Sequence, residues 1–328
     1  MTEPIAYGAG HVGVAVLRHL AAPADRGYSG GIDAGRVQEW IDKAGYAVAT
    51  SWSGKYAVTA YIGHVNFSRP VRVGDLVETT ARLVSTGRSS MHIEVTVASG
   101  DPREATLSAA ARCYITFVAV DDERRPVPVP SWVPNSVEQE MAASRVAVHN
   151  HLRTDIEQRV RLQSYTAEGT APRVLLRFLA APSDVNWGGK VHGGIVMRWI
   201  DEAAHALVTR WTGNVENAAV FVGGTHFLRP IPIGHLVEVE ARLIHTGTSS
   251  MHIAVHVRSN DVRGDEMLTA TQCLTVFVAF EGSRVVPCPS WMPETDEDLR
   301  LDRHAVDLMS IRTGYEDAQG QGSLPLMP

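Results

Sequence analysis

Apolar residues recur at helical spacing in two places along the chain. Over Gly35 to about Thr50 they fall at Val37, Trp40, Ile41, Ala44 and Val48, and over Gly194 to about Trp211 at Val196, Trp199, Ile200, Ala203 and Leu207. Steps of three and four residues draw one apolar stripe along each predicted helix. After the first helix come four apolar, β-branched runs, Ala57–Phe67, Leu76–Val84, Met91–Ala98 and Thr106–Val120, with strand alternation plain in Ile93-Glu94-Val95-Thr96-Val97. Pro70, Gly74-Asp75 and Thr86-Gly87 punctuate these runs as turns. Extended segments precede both helices, Val12–Leu20 and Arg173–Leu179. One long helix against meandering strands is an α+β pattern, and it is stated twice.

The duplication is visible in the letters. Leu17 to Pro23 returns as Leu176 to Pro182, Trp40-Ile41-Asp42 as Trp199-Ile200-Asp201, and Trp52-x-Gly54 as Trp211-x-Gly213, all at an offset of 159. Beyond that loop the offset becomes 160: Phe67-x-Arg69-Pro70 matches Phe227-x-Arg229-Pro230, and Ser89 to Ile93 matches Ser249 to Ile253. Ser131-Trp132 and Ser290-Trp291 restore 159. The one-residue slips fall where loops tolerate length changes. The expected organisation is a first domain over 1–134, a linker helix over 135–160, a second domain over 161–293, and a C-terminal helix and tail over 294–328, with Gln319–Pro328 loose.

Composition narrows what two such domains do. The 30 Lys+Arg against 36 Asp+Glu leave a formal charge of −6, so no overall basic field is available for a nucleic-acid backbone or an anionic membrane surface. Three cysteines make neither a disulfide framework nor a zinc site, which fits a reducing, cytoplasmic setting. No apolar run approaches the roughly 20 residues of a membrane span, and the His11–Ala24 stretch is expected to be structural because Arg18 interrupts it and the repeat copies it. Gly8-x-Gly10-x-x-Gly13 matches a dinucleotide fingerprint by chance, since no strand precedes it and no helix follows. No cofactor is expected.

A string of motifs carries a family resemblance. Asn186-x-x-Gly189-x-x-His192-Gly193-Gly194, Met197-x-Trp199-Ile200-Asp201-Glu202-Ala203, Phe227-x-x-Pro230-x-x-x-Gly234 and Gly247-x-Ser249-Ser250-Met251 occur in order, and both halves follow the pattern. The chain resembles the hotdog-fold acyl-CoA thioesterases, most closely the acyl-CoA hydrolases with two hotdog domains in tandem. The resemblance implies a long helix wrapped by a curved antiparallel sheet in each half, the halves paired as a pseudo-dimer, and active sites in the cleft between them. It also implies an acyl-CoA substrate and further assembly into a homo-oligomer, such as a trimer of double hotdogs. Catalytically inactive acyl-CoA binding or scaffolding, and an acyl-thioester dehydratase or hydratase, are the alternative functions.

Thioester hydrolysis needs a group to polarise the carbonyl and a group to activate water or attack directly. His192-Gly193-Gly194 opens the second helix with side-chain-free backbone whose N–H groups carry partial positive charge. Asp42 lies seven residues past Gly35 and Asp201 seven past Gly194, roughly 10 Å along each helix. An acid so placed is too far along to serve its own helix start, but two antiparallel helices bring it to the partner's. The halves differ here: Gly27 stands where the second half has Asn186, and Asp33-Ala34-Gly35 where it has His192-Gly193-Gly194. The intact site therefore combines Asn186, His192, Gly193 and Gly194 with Asp42, while Gly27, Asp33, Gly35 and Asp201 form a degraded counterpart. In this reading Asp42 is base or nucleophile, Asn186 holds water or thioester, the Gly194 N–H polarises the carbonyl, and Asp33 caps its helix.

Coenzyme A phosphates call for local cations, with Arg69, Arg82, Arg88, Arg229 and Arg242 as candidates. On the family resemblance, the turns bearing Arg88, Ser89 and Ser90 and bearing Thr248, Ser249 and Ser250 neighbour the pantetheine arm. Trp40, Trp199, Cys113 and Cys273 are expected in the core, the cysteines without a nucleophilic role.

Overall fold

The computed structural model describes residues 12–318, so most of the Gly8–Gly13 motif and the 319–328 tail lie outside the described residues. The first half runs β1 (Val14–Leu20), α1 (Ala34–Ser53), β2 (Tyr56–Ile62), β3 (Val65–Phe67), β4 (Leu76–Thr86), β5 (Ser90–Gly100), β6 (Ser108–Val120) and α2 (Val137–Arg161). The second repeats it as β7 (Arg173–Leu179), α3 (Gly193–Thr212), β8 (Asn217–Val222), β9 (Thr225–His226), β10 (Leu236–Thr246), β11 (Ser250–Asn260), β12 (Leu268–Glu281), β13 (Arg284–Val286) and α4 (Asp296–Ala318).

Both predicted central helices form, each about two turns longer than the apolar stripe. Gly54 and Gly213 end them in the left-handed conformation, φ 62° and 68°, returning their N–H groups to Thr50 and Thr209 carbonyls. The predicted run Ala57–Phe67 divides into β2 and β3 because the chain changes partners there: the Gly63 N–H turns to the Tyr114 carbonyl while β3 goes on to pair with the second half.

All thirteen strands belong to one antiparallel sheet, whose main path is β1-β4-β5-β6-β3-β8-β12-β11-β10-β7. The seam between halves is two short ladders, Val65 opposite Val222 in β3–β8 and Tyr61 opposite His226 in β2–β9. Inside the curve, α1 and α3 lie against each other and bury Trp40, Ile41, Trp199 and Ile200 in a core continuous across both halves. They run antiparallel: a Cβ on Gly35 would come within 2.7 Å of Arg198 Cα, and one on Gly194 within 2.6 Å of Glu39 Cα. Each helix start is thus in backbone contact with the second turn of the other helix, which only glycine permits.

The outer face of the sheet is covered in part by α2, through Ala142 and Val146 on Val84, and by α4, through Leu301 and Ala305 on Ile244 and Ala254. Among the described residues no helix is long and apolar enough to cross a membrane.

Candidate active site

Asp42 sits two turns into α1 at 2% exposure, amid the apolar stripe that buries the helix. A carboxylate so placed needs donors from elsewhere. It finds one in its own half, where Thr59 Oγ1 on β2 donates to Oδ1 at 2.7 Å, and one across the interface, where the Gly194 N–H donates to Oδ2 at 2.9 Å. His192 is the N-cap of α3; its Nδ1 lies 3.1 Å from both the Gly194 nitrogen and Asp42 Oδ2. The positive end of α3 therefore points at the acid from the first half, and the halves complete one centre.

Beside the acid the helix start packs closely. A Cβ on Gly193 would lie 3.1 Å from Asp42 Oδ2, 3.4 Å from Thr59 Oγ1 and 3.5 Å from the Phe227 ring, so the bare Gly193 backbone directly faces carboxylate, hydroxyl and an apolar wall. The Gly193 N–H has no acceptor among the described residues. Gly194, the expected carbonyl-polarising donor, already has its N–H on Asp42; Gly193 is the donor left over at this helix start. Asn186 organises the preceding loop: its Oδ1 accepts the Gly188 and Lys190 N–H groups at 2.9 and 3.0 Å, and its Nδ2 donates to the Val191 carbonyl at 3.4 Å.

The description of the thioesterase superfamily matches residues 34–106 and 188–265, one segment in each half. The acyl-CoA thioester hydrolase YciA of Salmonella typhimurium is 34% identical to this chain over 122 residues, which is 36% of this chain and 91% of the relative. The chain belongs to the thioesterase superfamily. Across nearly its whole length it is similar to the human cytosolic acyl coenzyme A thioester hydrolase, 29% identical over 337 aligned positions covering 94% of this chain and 86% of that one. A Lactobacillus plantarum structure described as an oleoyl thioesterase superposes with a TM-score of 0.57 at 10% identity, over 82% of this chain and 97% of that chain, a likeness of fold alone. Each half of this superfamily member is a hotdog, a long helix wrapped by antiparallel strands, and the two pair side by side.

The second centre of this thioesterase-superfamily chain has the same frame with different groups. Asp201 Oδ2 accepts the Gly35 N–H at 3.1 Å, but Oδ1 is buried with no partner. Thr59 and Ala219 hold equivalent places, opposite Phe117 and Phe277, so the second acid lacks the hydroxyl that serves the first. Burial, then the neighbouring Asp33, push the Asp201 carboxyl up to about 8 against the opposing pull of the Gly35 N–H. At neutral pH Asp201 therefore holds its proton.

Asp33 does not cap its helix as expected. It occupies the N-cap position, but its carboxylate accepts the Tyr28 N–H at 3.0 Å and the Ser29 hydroxyl at 3.2 Å. A side chain on Gly27 would run into that carboxylate. The two substitutions are one event in space: Asp33 ties the first loop from the place where Asn186 ties the second.

Of the candidate phosphate ligands, Arg82, Arg88 and Arg229 are exposed and Arg69 is half-buried. Arg242 is excluded: at 2% exposure it is enclosed by Glu240 at 3.1 Å and Glu297 at 3.2 Å, where α4 covers the sheet. Sheet register separates the two predicted substrate turns. Ser90 lies opposite Val118 and Val118 opposite Val58, which puts the Arg88–Ser90 turn two strands, about 10 Å, from the neighbourhood of Thr59. Ser250 lies likewise opposite Val278, and Val278 opposite Ala218, so the Thr248–Ser250 turn stands at the Asp201 centre. Trp40 and Trp199 are in the core, as are Cys113 and Cys273, whose thiols burial pushes up, that of Cys273 to about 12.

Proposed function

We propose that this chain is an acyl-CoA thioester hydrolase with one working centre, built from Asp42 and Thr59 of the first half and Asn186, His192, Gly193 and Gly194 of the second. The observation that carries this reading is the buried Asp42 carboxylate, held by Thr59 and Gly194 beside the side-chain-free backbone of Gly193. The thioester carbonyl approaches that backbone with its oxygen toward the Gly193 N–H at the positive end of α3. Asp42 takes a proton from water as the water oxygen adds to the thioester carbon; the C–S bond then breaks, and the departing coenzyme A thiolate recovers the proton. Asn186 acts by shaping the loop that presents Gly193, and His192 by holding the Gly194 N–H and the acid together. These side chains and backbone groups suffice without a cofactor.

Arg88, Ser89 and Ser90 are the nearer neighbours for the pantetheine arm, and Thr248, Ser249 and Ser250 serve the other centre. Free cysteines throughout the described residues suit the cytoplasm. Both open edges of the sheet carry exposed apolar residues, Val16 and Leu20 on β1 and Leu175 and Leu179 on β7, which favours assembly of further copies into a homo-oligomer such as a trimer.

Release of free thiol from acyl-CoAs of graded chain length tests the reading. Asp42→Asn should lower kcat by about a hundredfold or more, with Asp201→Asn close to wild type. Equal damage from both variants overturns the single centre, and binding without thiol release by the wild-type protein overturns hydrolysis.

A further inference from the structure

The glycine loop of the second half, Asn186 to Lys190, is gripped from outside by three elements of the first. After β6 the chain makes a tight turn, with the Asp121 N–H on the Arg125 carbonyl at 3.0 Å and the Arg124 N–H on the Asp121 carbonyl at 2.9 Å. Arg124 ends that turn at φ 63°, the one non-glycine residue in left-handed conformation among the described residues. From there its guanidinium donates to the Gly188 carbonyl. The Tyr56 ring, at the start of β2, fills the space a Gly188 side chain would need. Trp187 stacks face to face on Tyr46 of α1, ring centres 4.4 Å apart and planes within 5°, and Tyr46 meets Tyr56 edge-on at 6.2 Å.

The other centre keeps the stack, Tyr28 on His205 with ring centres 5.5 Å apart, but lacks the arginine and tyrosine of this grip. Its corresponding turn, one residue shorter, uses Gly282 at φ 64°, the residue type the conformation favours. Glu216 stands in the place of Tyr56, and Ser29 in that of Gly188, its hydroxyl turned inward to Asp33. A left-handed conformation forced on a long side chain, kept only where that side chain reaches the intact centre's loop, indicates use beyond the turn itself.

We propose that Arg124 and Tyr56 are positioning residues for hydrolysis, holding the Gly188 peptide so that the loop delivers the Gly193 N–H to a carbonyl beside Asp42. This role rests on the thioesterase reading above. It makes the second half's donor loop dependent on a turn in the first half, and it gives Trp187 a fixed place at the rim.

Arg124→Gly is the informative variant, because glycine keeps the left-handed turn and removes only the reach. Its kcat on an acyl-CoA should fall about tenfold with KM changed less than about twofold, as expected of misplacement rather than lost binding. Emission from Trp187 should shift to the red, a change absent in a Trp187→Phe background that silences this one among seven tryptophans. Arg124→Lys, which can still donate to Gly188, should recover most of kcat, and the melting temperature of Arg124→Gly should not fall. If the glycine variant is not recovered folded, Arg124→Ala is read in the same way. Wild type that hydrolyses alongside an unchanged kcat, or an unchanged Trp187 emission, in Arg124→Gly overturns the positioning role alone. Wild type that releases no thiol overturns the hydrolase reading and this role with it.

Discussion

The Asp42 carboxylate accepts the Gly194 N–H at 2.9 Å although 152 residues separate them in the chain. Its mirror relation, Asp201 with Gly35 at 3.1 Å, is nearly the same in shape. What distinguishes the two is the second oxygen of each acid: Asp42 has the Thr59 hydroxyl, and Asp201 faces Ala219 with a buried oxygen unpaired. The two carboxylates therefore differ by the Thr59 hydroxyl and the His192 ring beside Asp42, and by the Asp33 charge near Asp201.

Thr59→Val isolates that hydroxyl. Valine keeps the branched shape a strand favours, so the fold should be unchanged by circular dichroism. A hydrogen bond to a charged group contributes about 1.5–3 kcal/mol, so kcat/KM should fall roughly ten- to a hundredfold. A loss smaller than about twofold would show that Asp42 does not need the bond.

Two adjacent glycines should respond in opposite ways to alanine. At Gly194 the new methyl meets the Glu39 Cα at 2.6 Å, backbone that cannot step aside, so Gly194→Ala should destabilise the protein by about 1–3 kcal/mol as the helices separate. At Gly193 the methyl meets Asp42 Oδ2 at 3.1 Å and Thr59 Oγ1 at 3.4 Å, side-chain atoms that can give by a few tenths of an ångström. Gly193→Ala should melt closer to wild type than Gly194→Ala and hydrolyse poorly, because the shift falls on the acid and its hydroxyl. Thermal unfolding and thiol release on both variants separate the effects.

Gly27 and Asp33 should behave as a coupled pair. Gly27→Asn alone drives a side chain into the Asp33 carboxylate and should destabilise; combined with Asp33→Ala, which vacates the place, much of that loss should disappear. A double-mutant cycle by denaturant unfolding should give a coupling of about 1 kcal/mol or more. Additive effects would mean that the two positions changed independently.

Asp201 gives stability a pH dependence of known sign. Its carboxyl rises from the usual 3.8 to about 8 in the fold, so between those values the native state holds a proton that the unfolded chain releases. The contribution is complete below about pH 4 and declines by up to about 1.4 kcal/mol per pH unit as pH climbs toward 8. Asp201→Asn removes the titration, and the amide can still accept the Gly35 N–H. Between pH 6 and 8.5 the wild-type melting temperature should drop more than that of the variant; parallel curves would refute the raised carboxyl.

Much of this was legible in the letters because the chain states its fold twice. Matched stripes at Trp40 and Trp199 located both central helices, and the mismatch of Asn186 with Gly27 separated the two centres. Thr59 was not found, since a threonine in a strand is unremarkable by itself; its signal was the alanine at its repeat position. Arg242 was misread for a different reason. Charge alone does not tell which arginines α4 will cover, and its repeat partner Arg82 is exposed. The Asp33 side chain went to the loop because the absence of a Cβ at Gly27 offered it a place there, a relation between two residues that a helix-capping preference does not contain. Arg124 was hidden because its reach depends on a backbone conformation that arginine rarely adopts.

The seam that joins β3 to β8 and β2 to β9 also fixes how the centre responds to dilution. In an assembly of separate chains, an acid on one subunit and a donor on another part company as concentration falls. Here the partner is tethered, at an effective concentration set by the chain itself. Specific activity should then stay constant across dilutions that dissolve any higher assembly, because the base and its glycine loop leave the ribosome as one molecule.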